Sequence, residues 1–191
     1  MINLKNIIRP ALIGFTVLLT ACAANINHLV VTPDILISAN NLQSIPSLNI
    51  STNDLRTAQH VLQIIKEGEG AKLLTSQSSL AGIIDTSVKS AFKKAGAQLT
   101  PMANNSVTIN INNALINVNQ SMMKYTANNV IALSVVINNG TETLTKSYKT
   151  SGKSNGPLQA DIAVLERDFT QQLSKLLANI VTDPQLIEFM R

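Results

Sequence analysis

One side chain in this 191-residue sequence stands out for its chemistry: Cys22, the only cysteine, in the run Leu18-Leu19-Thr20-Ala21-Cys22-Ala23-Ala24-Asn25. A thiol can be alkylated to a thioether at neutral pH, where a serine hydroxyl is a far weaker nucleophile. A lone cysteine has no partner for an internal disulfide. Two histidines, His28 and His60, sit in separate segments. Zinc takes three or four ligands, so no metal site is expected of them. The serines form no G-x-S-x-G pattern and none has a plausible base nearby. The stretch Gly68 to Ser76, GEGAKLLTS, lacks the spacing of a phosphate-binding loop. No catalytic residue, and no enzyme, is expected.

The residues before Cys22 explain its position. Lys5 and Arg9 are the only earlier charges, and Ala11 to Leu19 is apolar except at Gly14 and Thr16. A short basic region followed by an apolar run of this length has the pattern of a secretory signal. The run is too short to span a bilayer, which takes about 20 residues. Leu19-Thr20-Ala21-Cys22 resembles the lipobox of bacterial lipoproteins, in which the thiol receives a diacylglyceryl group and cleavage after Ala21 makes Cys22 the new N-terminus. The resemblance implies a covalent lipid on Cys22 with two or three acyl chains, such as palmitate, and no other cofactor. In such lipoproteins an aspartate after the cysteine retains the protein at the inner membrane. Ala23 in that place implies the outer membrane, with the chain facing the periplasm.

Two further groups carry charge in suggestive places. Asp54 and Arg56 lie two residues apart in a turn-rich segment beside a strand end, as a partner or ligand contact, or as an Asx-type turn with a surface ion pair. Lys146, Tyr148 and Lys149 lie on an expected outer strand. They could meet an acidic partner, although charges on an edge strand also block edge-to-edge aggregation.

Without the signal, 15 basic residues become 13 against 11 acidic ones, and the net charge of +4 falls to +2. The basic residues are not clustered as nucleic-acid binding would require. Residues 22–28 read as a lipidated tether and 29–191 as one periplasmic domain, large enough for a core of Ile, Leu and Val.

The elements that must position these groups follow from periodicity. Leu29 to Ser38 reads as a strand carrying Pro33, which argues for an edge strand or a break into two short pieces, and Gln43 to Ser51 as a short strand with Leu48 and Ile50 on one face. Gln59 to Ile65 fits helix or strand equally, and Lys72 to Thr75 is extended. Ser79 caps a helix whose apolar stripe runs from Leu80 to Ala95 and stops at Gly96. Val107 to Val118 alternates with a phase slip at Asn112-Asn113, which marks a bulge or a bend. Tyr125 to Ile137 reads as a central strand, Asn138 to Gly140 as a hairpin turn, and Glu142 to Ser151 as a polar outer strand. A long helix over Ile162 to Ile180 and a short one after Asp183-Pro184 complete the chain. This order predicts an α+β fold: an antiparallel meander covered on one face by two amphipathic helices.

The order of elements, the segment Asn53-Asp54-Leu55-Arg56-Thr57, the meander from Val107 to Lys149 and the ending DPQLIEFM together resemble the YajG-like uncharacterised bacterial lipoproteins. The similarity spreads over almost the whole mature chain. It implies an outer-membrane lipoprotein facing the periplasm and brings no established enzymatic activity. Two functional readings follow. One is a non-catalytic interaction module, in envelope maintenance or in an assembly such as a secretion apparatus, binding an envelope protein through a free sheet edge. The other is a carrier for a lipid or another small apolar ligand held between sheet and helices.

Overall fold

The structure, a computed structural model, describes residues 28–37, Leu42 and 45–191. The signal segment, Cys22 and the tether as far as Asn27 lie outside the described residues. The elements in chain order are β1 (His28–Leu29), β2 (Leu48–Asp54), β3 (His60–Lys66), β4 (Lys72–Ser76), α1 (Leu80–Lys94), β5 (Asn105–Gln120), β6 (Lys124–Asn138), β7 (Thr143–Pro157), α2 (Ile162–Val181) and α3 (Pro184–Phe189).

The seven strands form one sheet in the order β1-β4-β3-β5-β6-β7, with β2 also paired to β5. The sheet is mixed, which corrects the expectation of a purely antiparallel one. β5, β6 and β7 form the expected antiparallel meander, while β2 and β3 both run parallel to β5. The physical reason is α1. Parallel neighbours need a crossover of a dozen or more residues, and the helix between β4 and β5 supplies it.

β5 organises the sheet. Its first half, from Asn105 to Ile111, pairs with β2, and its last five residues, from Ile116 to Gln120, pair with β3. Two strands thus lie end to end along one side of β5. The register against β6 shifts between Ile111 and Asn113, so the phase slip legible in the sequence is a bulge, placed where β2 gives way to β3. The ambiguous stretch before Gly68 is strand β3. It pairs in parallel with the last five residues of β5, and that pairing decides between two periodicities that seven residues cannot separate.

Two other segments differ from expectation. Of the segment expected as a strand from Leu29 to Ser38, the described part ends at Ile37, and within it only Leu29 is in a strand, paired with Ser76. Beyond it the chain runs along α2, with the Val30 N–H donating to Glu166 Oε2 at 2.7 Å and the Asp34 N–H to Ser174 Oγ at 3.1 Å. Val31 and Ile35 are buried there. Thr52 to Asp54, expected in a turn-rich segment after the strand, instead extends β2.

α1, capped by the Ser79 side chain, packs Ile84, Val88 and Phe92 inward, and α2 packs Leu165, Phe169, Leu173 and Leu177. Phe92 and Phe169 are fully buried among the Ile, Leu and Val side chains of the inner sheet face. Along β5 and β6 buried residues alternate with half-exposed ones, so the helices cover one face and the other stays open. The centre of β6, Val130 to Ile137, apolar on both faces except at Ser134, is therefore enclosed on one side only.

Candidate functional site

Arg56 and Asp54 sit at the junction between β2 and β3. The Arg56 Nε and Nη2 groups donate to the two oxygens of Asp54 at 2.8 and 2.7 Å, a bidentate pair. Nη1 donates to the carbonyls of His60 and Ala114, and Nη2 reaches that of Gln59. Ala114 lies at the bulge of β5, where ladder bonding is interrupted. All five guanidinium donors are used, and the Arg56 side chain is 6% exposed against 19% for Asp54. Hydrogen bonding from Arg56, against some opposition from burial, holds the Asp54 carboxyl below its ordinary pKa. The geometry makes the pair an internal clamp across the gap that the bulge opens. What reaches the surface is the Asp54 edge, beside a depression of about 270 Å³ that Gln59 and Ser79 also line.

A second cluster ties β7 to α3. Asp183 caps α3, accepting from the backbone N–H groups of Gln185 and Leu186. Its other oxygen accepts from the Tyr148 hydroxyl and from Lys146 Nζ, each at 2.7 Å. Burial raises the Asp183 pKa, but the hydrogen bonds from Lys146, Tyr148 and the two backbone groups outweigh it, and the net displacement is downward. Burial, then the Asp183 carboxylate, pushes the Tyr148 hydroxyl far upward. An acid with a raised folded pKa stabilises the fold fully below its unfolded pKa, about 10 for tyrosine, and loses that contribution as the pH climbs above it. Tyr148→Phe is therefore expected to flatten the loss of stability above about pH 10, to reduce the part of the acid-side loss that rests on Asp183, which loses one of its hydrogen bonds, and to leave the part that rests on Asp54 in place. Chemical denaturation across the pH range checks this.

β7 has a different character on its two sides. Leu144, Lys146 and Tyr148 turn toward the helices, while Thr145, Ser147, Lys149, Ser151 and Lys153 are exposed on the open face. The strand closes the sheet order, so one of its edges has no neighbouring strand among the described residues. Beside it on that face lie Asn128 and Ser134 of β6, with Val130 and Ala132 between them, then Asn110 and Asn117 of β5, forming a surface that mixes amide and hydroxyl groups with apolar side chains. β5, β6 and β7 contain four lysines and no acidic residue. Lys146 is paired with Asp183; Lys149 and Lys153 have no ion-pair partner among the described residues.

The histidines come together, which sequence reasoning missed. His28 of β1 and His60 of β3 both sit opposite Thr75 of β4, in one row across three strands. His28 Nδ1 lies 3.1 Å from Thr75 Oγ1. Among the described residues no group of three or more potential metal ligands converges. A surface groove of about 460 Å³ runs between α2 and the segment 32–36, lined by Thr32, Asp34, Leu36, Thr170, Gln171 and Ser174. Between sheet and helices, near Asn129 and Gln172, a space of about 70 Å³ remains, the volume of one or two waters. No helix among the described residues is long and apolar enough to cross a membrane.

A family model described as "Uncharacterized lipoprotein" matches residues 33–191, so the match does not depend on the lipobox. No curated protein matches the chain. Among solved structures, the crystal structure of protein XCC0632 from Xanthomonas campestris, of family DUF330, is similar with a TM-score of 0.61 at 12% identity, covering 84% of this chain and 96% of that one. At that identity the likeness concerns the fold alone. The structure of an uncharacterized protein reaches a TM-score of 0.41 at 13% identity over 79% of this chain and 99% of that one, too low to support an inference.

Proposed function

The chain belongs to this family of uncharacterized lipoproteins, the YajG-like family, and from that premise we propose that it is a non-catalytic interaction module held at the periplasmic face of the outer membrane by a lipid on Cys22. The observation that carries the reading is the placement of the two end strands of the sheet order. β1, the first described strand after Cys22, is at one edge, and β7 is at the other. The six residues from Cys22 to Asn27 reach at most about 20 Å, so the β1 edge stays near the membrane. Five strand spacings of about 4.8 Å put the β7 edge roughly 24 Å across the sheet from it. The open edge and the open face are thereby presented to the periplasm and its envelope proteins. No cofactor or metal takes part in this role.

The carrier reading has one observation in its favour, the groove along α2 with Leu36 82% exposed at its rim. The layer between sheet and helices, where a carrier would hold its ligand, is occupied by Phe92, Phe169 and Ile84. A photo-crosslinking residue placed in living cells at Thr145 on β7, or at Gln171 in the groove, separates the readings. The expected result is a discrete protein adduct from Thr145. Lipid adducts from Gln171 with no protein adduct from Thr145 would overturn the interaction reading.

A further inference from the structure

We infer that the free edge of β7 takes an extended acidic segment of another protein as an added strand, with carboxylates four residues apart set against Lys149 and Lys153. The inference deepens the interaction-module reading and rests on it.

The phase of the edge follows from two hydrogen bonds that flank the β6–β7 ladder. The Asn139 N–H donates to the Glu142 carbonyl, and the Leu158 N–H to the Met123 carbonyl. In an antiparallel ladder, bonded and non-bonded pairs alternate. Both flanking bonds give one phase: Leu144, Lys146, Tyr148, Thr150 and Gly152 bond to β6. The alternate residues, Thr145, Ser147, Lys149, Ser151 and Lys153, turn their N–H and C=O groups outward. These are the residues whose side chains are exposed on the open face. Among the described residues no other element bonds to that backbone, and the run has no proline before Pro157 to block pairing.

Charge selects the occupant. Directly opposite residues in a sheet share a face, so an added strand sets residues i and i+4 against Lys149 and Lys153, with i+2 against Ser151. No acid in β5, β6 or β7 offsets the two ammonium groups. A second copy of β7 would bring four lysines onto one face, and like charges there are destabilising. An anionic membrane is disfavoured by position, because the tethered edge is the opposite one.

The probe is a fluorescein-labelled nine-residue peptide of alternating Thr and Val with Glu at its third and seventh positions, compared with a twin carrying Lys there. Both are titrated against the full-length lipoprotein in detergent by fluorescence anisotropy. The Glu peptide is expected to bind about tenfold more tightly than the Lys peptide at low salt. Lys149→Glu with Lys153→Glu is expected to reverse that preference. Ser147→Pro removes an outward N–H that β6 does not use, and is expected to abolish binding of both. A Glu peptide N-methylated at alternate amides tests the backbone bonds without altering the protein, and is expected not to bind. Equal affinities, or binding unchanged by Ser147→Pro or by N-methylation, would overturn the inference. So would a dimer that depends on Ser147, which points to a second copy. Anionic-vesicle binding that Ser147→Pro leaves intact would overturn it in favour of a membrane surface. A protein adduct from Thr145 with no peptide binding refutes this partner chemistry alone; loss of both refutes the interaction module as well.

Discussion

Asp54→Ala is expected to lower the unfolding free energy by about 3 kcal/mol, the lower end of the range for a buried ion pair broken from one side. The substitution leaves the Arg56 guanidinium, 6% exposed, without its counter-charge. The Ala114, His60 and Gln59 carbonyls cannot neutralise it. For a chain of this size the loss corresponds to roughly 6–12 °C in melting temperature. The half-exposed i,i+4 pair of Asp85 and Lys89 on α1 serves as the contrast. Its removal by Asp85→Ala is expected to cost about 0.3–0.5 kcal/mol. The clamp is also acid-sensitive. A carboxyl whose folded pKa is depressed stabilises the fold above its unfolded pKa and loses that contribution as the pH falls through the folded value. The Asp54 variant should therefore lose part of the acid-side slope. A variant as stable as the wild type but unable to hold its partner would instead make the pair a contact surface.

Cys22→Ala is expected to have the largest effect of all: transfer of the protein from the membrane fraction to the soluble fraction of the envelope. Each buried methylene contributes about 0.8 kcal/mol, and stable attachment takes two acyl chains. Deleting the thiol deletes every chain at once. No described helix can span a bilayer in their place, and the apolar run from Ala11 to Leu19 is too short to do so. Fractionation and intact mass of the wild-type protein check both halves, release in the variant and the added lipid mass on the processed chain.

Much of this arrangement was legible in the sequence because it is local. Both long helices announced themselves through spacing and, for the first, through the Ser79 cap and the stop at Gly96. The meander followed from alternation and from Asn138 to Gly140, with Gly140 at a φ of 91° in the turn. The phase slip at Asn112-Asn113 was legible because a period of two leaves no slack. What was not legible depends on pairing between distant segments. Nothing in β2 or β3 alone says that both lie parallel to β5, or that His28 and His60 share a row. The role of Arg56 was hidden for the same reason, because its acceptors include a carbonyl 58 residues away. Asp183 was read as a helix start and its link to Tyr148 missed, for want of any local sign. One signal was available and unused. Along β7, Lys149 and Lys153 have one parity and Lys146 and Tyr148 the other, which separates an open-face pair from residues turned toward the helices.

The measurement that bears most directly on a lipid-anchored interaction module is affinity purification from crosslinked, detergent-solubilised envelopes, with mass spectrometry of what accompanies the protein. The expected result is a stoichiometric envelope protein with the wild type, lost with Cys22→Ala. Lipid recovered without any protein, or a Cys22→Ala chain that stays in the membrane fraction, would contradict it.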